Sequence, residues 1–222
     1  MAYFTSDYLE FFKELAANNH KEWFDANRKR YENVVRDPFR NFIEQLIAEM
    51  AKTDPELVLE AKNAIFRINR DIRFSRDKTP YKLNNSAVIS PAGRKDKNHP
   101  GVYLELGPEK LGFYGGIYMP SPAETQKVRS YMLDHLEELE SILSAPEFKK
   151  SFGQVHGERS KRIPKEFAEA AESQPLLWNK QWYYYAHLPP EVILGEDLME
   201  VLLDLRSKSL PLKNYLSHAI LN

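Results

Sequence analysis

The spacing of the apolar residues changes along the chain, and this change constrains the fold more than any other feature of the sequence. In the N-terminal part, apolar side chains recur three and four positions apart, which is typical of amphipathic helices. Between residues 66 and 74 they alternate with polar ones, as in a strand with one buried face. Helical spacing returns after Ser121. The order of helices, strands and helices, with one late aromatic strand at 181–188, predicts an α+β protein whose antiparallel sheet is packed against N-terminal and C-terminal helices.

Capping residues predict where the first three helices begin. Ser6 precedes the first apolar stripe. A second helix is expected from Asn19, with Glu22 completing a capping box three residues later. Asp37 and Pro38 are then expected to interrupt the chain and to start a third helix, because Asp caps helices well and Pro is tolerated in the first turn.

The remaining elements are predicted from similar signals. Residues 102–106 and 111–119 form a predicted hairpin, in which Gly115-Gly116 suggests a bulge or a close approach by another group. Residues 90–101 form a polar loop. Ser121 and Glu124 predict a further capping box, and two helices are expected at 198–205 and 212–220. Because neither a repeat nor a low-complexity linker divides the chain, one domain over residues 1–222 is predicted.

Composition limits the classes of function. The formal net charge of the 222-residue chain is -1, so bulk positive charge cannot provide affinity for a polyanion. The chain has no cysteine, which excludes disulfides, thiolate metal sites and a cysteine nucleophile. No apolar run approaches the roughly 20 residues that span a bilayer, and the N-terminus lacks the pattern of a signal peptide. A cytoplasmic location without a membrane partner is therefore expected.

Positive charge is concentrated in residues 66–82, which we name the Arg-rich segment. Six cations stand there against only two acids, Asp71 and Asp77. If residues 66–74 form a strand, alternate polar side chains project from one face at intervals of about 7 Å. The following loop would then close over a bound anion. The predicted residues for binding a small anionic or phosphorylated ligand are Arg67, Asn69, Arg70, Arg73, Lys78, Tyr81 and Lys82.

Three interpretations of the Arg-rich segment remain open. It is a site for a small anion, a structural network of ion pairs that also uses acids such as Glu60 or Glu105, or a surface that docks an acidic protein or a nucleic acid. The near-zero net charge argues against nucleic acid without excluding it. A converging, concave cluster of guanidinium groups would favour the small ligand.

The sequence leaves open whether a reaction is catalysed. Asp71 and Asp77 are the candidates for proton transfer. The surrounding cations argue against a metal at these carboxylates, so no metal is predicted. The six histidines are scattered without the spacing of a helical zinc site, and the glycine-rich phosphate loops and the nucleophile elbow are missing. Neither a cofactor nor an oligomeric state follows from the residues.

Several motifs together resemble one protein family. They are Asn18-Asn19, Trp23-Phe24, Asn27, Tyr31, the run 66–75, Asp77-Lys78, Pro80-Tyr81-Lys82, Gly115-Gly116 and Met119-Pro120. With these motifs the chain resembles, over nearly its full length, the conserved hypothetical proteins of domain of unknown function 2461. The resemblance implies no activity, cofactor or catalytic residue. One departure is that Glu166 occupies the place of a glycine in the family's Pro-Lys/Arg-Gly-Phe pattern.

Overall fold

The computed structural model describes residues 2–95 and 99–221. The predicted polar loop 90–101 therefore falls partly outside the described residues. The α-helices are α1 (Ser6–Ala17), α2 (Lys21–Ala26), α3 (Arg28–Arg30), α4 (Asp37–Ala51), α5 (Ala61–Ala64), α6 (Pro122–Asp134), α7 (Leu136–Ser144), α8 (Pro146–Phe152), α9 (Ala170–Ser173) and α10 (Leu198–Leu221). A π-helix joins α3 to α4 at Tyr31–Arg36. Short 3₁₀ turns lie at Gly93–Lys95, Lys165–Phe167, Pro175–Trp178 and Pro190–Leu194.

Four strands form one antiparallel sheet in the order β1-β2-β3-β4. They are β1 (Asn85–Ile89), β2 (Gly101–Leu106), β3 (Leu111–Ile117) and β4 (Trp182–Leu188). The predicted α+β class, the hairpin and the late aromatic strand are confirmed. Among the described residues, no helix combines the length and the apolar character that crossing a lipid bilayer requires.

The chain divides into two compact units. The first unit comprises Met1–Arg94, Tyr103–Phe113 and His187–Leu203, and the second comprises Lys95–Val102, Tyr114–Ala186 and Asp204–Asn222. The single domain expected from the sequence stays a prediction.

Aromatic residues of α1 and α4 form the core of the first unit. Tyr8, Phe11 and Phe12 on α1 are fully buried, as is Phe42 on α4. The hydroxyl of Tyr8 donates to the carbonyl of Leu106 at 3.3 Å, which satisfies its polar atom inside this core. Helices α4 and α5 pack against β1. The N-terminal helices thus provide a rigid support for the strand that follows the Arg-rich segment.

The predicted break at Asp37 is wrong. Arg36 and Asp37 keep helical dihedral angles, so the π-helix continues directly into α4. A π-turn already departs from the regular hydrogen-bond ladder of an α-helix, so the missing N–H of Pro38 requires no additional break.

The second helix also begins later than predicted. Its N-cap is His20, whose Nδ1 accepts a hydrogen bond from the backbone N–H of Trp23 at 3.4 Å. Asn19 is not the cap, because its side chain binds the backbone of Tyr81 instead. A contact 62 residues away in sequence therefore prevails over the local capping preference.

The C-terminal helix is longer than predicted. The two expected helices form one helix, α10, with Pro211 in its interior. Proline removes one hydrogen bond of the helix. The residues that follow it, Leu212, Tyr215 and Leu216, are almost completely buried, and this burial stabilises the continuous helix.

In the second unit, the glycine pair of β3 lies against β4. A Cβ atom on Gly115 would stand 2.4 Å from the hydroxyl oxygen of Tyr184, and one on Gly116 would stand 2.1 Å from the carbonyl oxygen of Trp182. Gly116 also has a φ of 112°, which side chains rarely permit. The close approach expected from the sequence is confirmed.

We predict that Gly116→Ala destabilises the protein more than Gly153→Ala, as measured by urea unfolding. Gly153 has a φ of 72° but no atom within 4 Å of an added Cβ, so its substitution adds backbone strain alone, about 1–2 kcal/mol. Gly116→Ala adds a clash with a carbonyl oxygen, which costs about 1–3 kcal/mol more. Equal losses for the two variants would contradict the close approach.

Candidate functional site

The Arg-rich segment does not form the predicted strand at 66–74. Its first part, up to Arg70, pairs with residues 80–87 only through isolated antiparallel bridges, between Ile65 and Ala87 and between Asn69 and Tyr81. The N–H of Arg70 donates to the carbonyl of Pro80 at 2.8 Å. Beyond Arg70 the backbone leaves this pairing and forms an irregular loop over residues 71–79, which we name the Arg loop.

Burial shows why the alternating pattern was misleading. Ile68 is 6% exposed, as the strand interpretation requires, but Phe74 is 95% exposed. The apolar side chains beyond Arg70 therefore do not share a buried face. Acidic side chains within the loop form hydrogen bonds to nearby residues, and these local bonds compete with a strand ladder.

Asn19 fixes the base of the Arg loop to the N-terminal helices. Its Nδ2 donates to the carbonyl of Tyr81 at 2.9 Å, and its Oδ1 accepts from the N–H of Tyr81 at 3.1 Å. The Tyr81 ring stacks on Phe24 with 4.1 Å between centroids and is buried. Tyr81 and its bridge partner Asn69 thus hold the backbone in place.

Arg73 is paired within the loop. Its Nε and Nη2 donate to the two oxygens of Asp71 at 2.9 and 2.7 Å, a bidentate ion pair. The guanidinium also lies 5.8 Å from the centroid of the Phe74 ring. The Arg73 side chain remains 76% exposed, so the pair is at the surface and contributes little to stability.

Arg70 is paired on the opposite side of the loop. Its Nη1 donates to Oδ2 of Asp77 at 2.5 Å, to the carbonyl of Thr79 at 3.1 Å and to the Thr79 hydroxyl. Asp77 accepts in addition from the N–H of Thr79 at 2.9 Å. Lys78 donates to the carbonyl of Ile72 at 2.9 Å. These bonds give the irregular loop a defined shape.

The two carboxyl groups of the Arg loop have pKa values below that of an ordinary aspartate. Hydrogen bonds from Arg73, first from its side chain and then from its backbone, lower the pKa of Asp71 to about 2. The N–H of Thr79 and then the guanidinium of Arg70 lower the pKa of Asp77 to about 2. Both groups are ionised near pH 7 and already engaged, which makes them poor general bases.

Arg67 and Lys82 are arranged differently. Within the described residues, neither side chain makes a hydrogen bond or an ion pair. Lys82 is half-buried, and its Nζ lies 5.1 Å from the centroid of the Phe66 ring. Burial lowers the pKa of Lys82; the charge of Glu105 opposes this shift and that of Arg67 adds to it. The structure thus places two cations near each other without a direct counter-ion.

Two residues beside this pair of cations were missed as site residues. The Tyr103 ring packs edge-on against Phe66 with 6.0 Å between centroids, and its hydroxyl donates to Glu105 at 2.9 Å. Alternation along β2 provided a signal, because Val102, Leu104 and Leu106 are buried and the residues between them face the other side. The alternation along β2 does not show that Lys82 lies near that face.

The described residues include no group of three or more histidine, aspartate and glutamate side chains that could hold a metal ion. Around Arg67 and Lys82, the first unit presents positive charge next to an aromatic ring. A half-buried ammonium and an exposed guanidinium are suited to holding an oxyanion, and the Phe66 ring contacts the ammonium through a cation–π interaction.

We predict that Asp77 titrates near pH 2, below the ordinary value of 3.8, in an NMR titration of its carboxyl carbon. Since the folded pKa is below the unfolded one, the hydrogen bonds of Asp77 stabilise the loop above pH 3.8 and are lost as the pH falls through about 2. Arg70→Gln should raise this pKa only in part, because the bond from Thr79 remains. A midpoint of 3.8 in the unsubstituted protein would contradict the described geometry.

Comparison with known proteins gives one relationship. The profile of the family described as "Conserved hypothetical protein (DUF2461)" matches residues 7–215. Searches of curated proteins and of solved structures returned no significant match. Because the match includes both the Arg loop and the glycine pair of β3, the chain belongs to this family of conserved hypothetical proteins.

Proposed function

We propose that this protein binds a small anionic or phosphorylated ligand, with Arg67 and Lys82 as the residues that contact it. The observation that carries the proposal is the contrast within the Arg-rich segment. Arg70 and Arg73 have carboxylate partners, whereas Arg67 and Lys82 have none within the described residues. Two positive charges without a direct counter-ion attract an anion.

The surroundings of Lys82 strengthen this proposal. Its ammonium has lost part of its hydration, and the attraction of Glu105, which exceeds the repulsion from Arg67, does not make up for this loss. Arg67 lies close enough for the two positive charges to repel each other. An oxyanion between them would relieve this repulsion and replace the lost water. Phe66 lies within cation–π distance of the ammonium. This contact stabilises the charge of Lys82 when no ligand is bound.

The other predicted site residues would hold the backbone of the site in place without contacting the ligand. Asn69 and Tyr81 fix the backbone next to Ile68, whose carbonyl accepts from the N–H of Lys82 at 2.8 Å. Arg70, Arg73 and Lys78 order the Arg loop through their own partners. The proposal concerns binding alone. We propose that it takes place in the cytoplasm, the location expected from the sequence. It includes no reaction, because Asp71 and Asp77 are poorly suited to accept a proton near pH 7.

A second candidate function is docking of an acidic protein partner, and the position of Phe74 favours it. This large apolar side chain is 95% exposed in a loop whose backbone is held by hydrogen bonds. Arg73 lies over its ring, and Arg76 is exposed nearby in sequence. An aromatic anchor with neighbouring arginines is typical of the residues that dominate binding at protein interfaces.

To test the small-ligand proposal, we predict that Arg67→Gln and Lys82→Gln each weaken the binding of inorganic phosphate by about tenfold. A lost charge-assisted hydrogen bond is worth about 1.5–3 kcal/mol. Isothermal titration calorimetry at constant ionic strength measures the effect. The matched control is Arg73→Gln, which removes the same charge from a paired position and should change the affinity less than twofold. Equal losses in all three variants, or no phosphate binding by the unsubstituted protein, would refute the assignment.

To test the docking candidate, we predict that Phe74→Ala leaves the unfolding midpoint in urea unchanged within error, because an exposed ring contributes little to the core. The same variant should lose most of its retention on a column of immobilised acidic peptide that carries aromatic residues. Val58→Ala is the control, since Val58 is 84% exposed outside the Arg loop. Identical retention of both variants would exclude Phe74 as an anchor.

A further inference from the structure

The second unit contains a buried arginine without an acidic partner. Arg129 on α6 is only 6% exposed. Its Nη2 donates to the hydroxyl of Ser160 at 2.6 Å and to the carbonyls of Asn179 and Trp178 at 3.0 and 3.5 Å. Its Nε is buried and has no hydrogen-bond partner. Within the described part of the chain, no carboxylate contacts this guanidinium.

An arginine in this position is costly, because the guanidinium does not release its proton and stays charged. Carbonyl and hydroxyl oxygens satisfy some of its donors but carry no net charge. A buried charge normally has a counter-ion, since removing it from water costs several kcal/mol. Among the described residues, the charge of Arg129 thus meets oxygen dipoles and no carboxylate.

The segment that begins beside Arg129 adds more positive charge. Residues 159–165, which we name the basic arm, include four exposed cations without an ion pair among the described residues: Arg159, Lys161, Arg162 and Lys165. Of the adjacent acids, Glu158 pairs with Lys180 at 2.6 Å, whereas Glu166 accepts from the neutral side chain of Gln126 at 2.9 Å and keeps its negative charge. The four cations of the basic arm therefore exceed the negative charge beside them.

The basic arm is anchored at both ends. Arg159 forms an isolated bridge with Asn179, and the N–H of Ser160 donates to the carbonyl of Trp178 at 2.7 Å. At the other end, Glu166 is held by Gln126, which lies one turn before Arg129 on α6. The backbone of the basic arm is therefore held at both ends, which lowers the entropy cost of ordering it when a ligand binds.

We propose that Arg129, Ser160 and the basic arm form a second binding site, which recognises phosphoryl groups. A guanidinium and a hydroxyl together suit a tetrahedral oxyanion, and the four further cations exceed what a single carboxylate requires. The shared chemistry is the phosphoryl group, presented either by a small phosphate ester or by the backbone of a nucleic acid. This site is assigned on residues other than Arg67 and Lys82 and does not depend on them.

The test compares two double substitutions that remove the same charge from the second unit. Both are made in the full chain in an Arg67→Gln/Lys82→Gln background, so that the first site does not contribute. Lys161→Gln/Arg162→Gln alters the basic arm, whereas Lys149→Gln/Lys150→Gln alters exposed cations of α8. The probes are inorganic phosphate and a twelve-nucleotide single-stranded RNA. The variants are compared at one ionic strength, and the affinity for RNA is also measured at several salt concentrations.

We expect the basic-arm double variant to weaken binding about tenfold and the α8 variant to change it less than twofold. Arg129→Gln should abolish phosphate binding; if it unfolds the protein, the comparison of the exposed double variants still decides the question. RNA binding that is much tighter and falls steeply with salt identifies the nucleic-acid backbone as the source, and comparable affinities identify a small phosphate ester. Equal losses in the two double variants, or no binding of either probe, would overturn the proposal.

Discussion

The contact between Asn19 and Tyr81 supports the rest of the Arg-rich segment. A single amide side chain binds both the N–H and the carbonyl of Tyr81, which adds to the short antiparallel pairing between Asn69 and Tyr81. The Tyr81 ring adds an apolar contact by stacking on Phe24. With the backbone held at Tyr81, the next residue, Lys82, is fixed beside Phe66. The position of one cation thus depends on a hydrogen bond from the loop before α2.

Charge pairing distinguishes the arginines that shape the Arg loop from those of the two candidate anion sites. Arg70 and Arg73 are near carboxylates in the sequence and form local ion pairs that shape a loop. Arg67 and Arg129 lack such partners within the described residues, and one of them is buried. The overall charge of -1 does not show this difference, because it adds charges that are far apart in the fold. The two candidate anion sites are identified by asking, for each cation, whether a carboxylate contacts it.

The sequence predicted the fold better than it predicted the site. Helical periodicity and the capping box at Ser121 gave correct elements, because both depend on neighbours within one or two turns. The strand at 66–74 was wrong, since alternation alone does not show whether the apolar face meets a core, and Phe74 does not. The pairing of Arg70 with Asp77 depends on how the loop bends. The buried state of Arg129 depends on contacts with residues 31 to 50 positions away, which no local pattern reveals.

The glycine pair of β3 also determines which alignment of β3 and β4 the second unit accepts. A shift of two residues would bring Tyr114 or Tyr118 to the position of Gly116, where the Trp182 carbonyl leaves no room for a Cβ atom. A shift of one residue would bring Gly115 or Ile117 to that position, and in either direction it would turn every side chain of the strand to the opposite face. Misaligned pairings of β3 with β4 are therefore disfavoured, although more than 60 residues separate the two strands in the sequence.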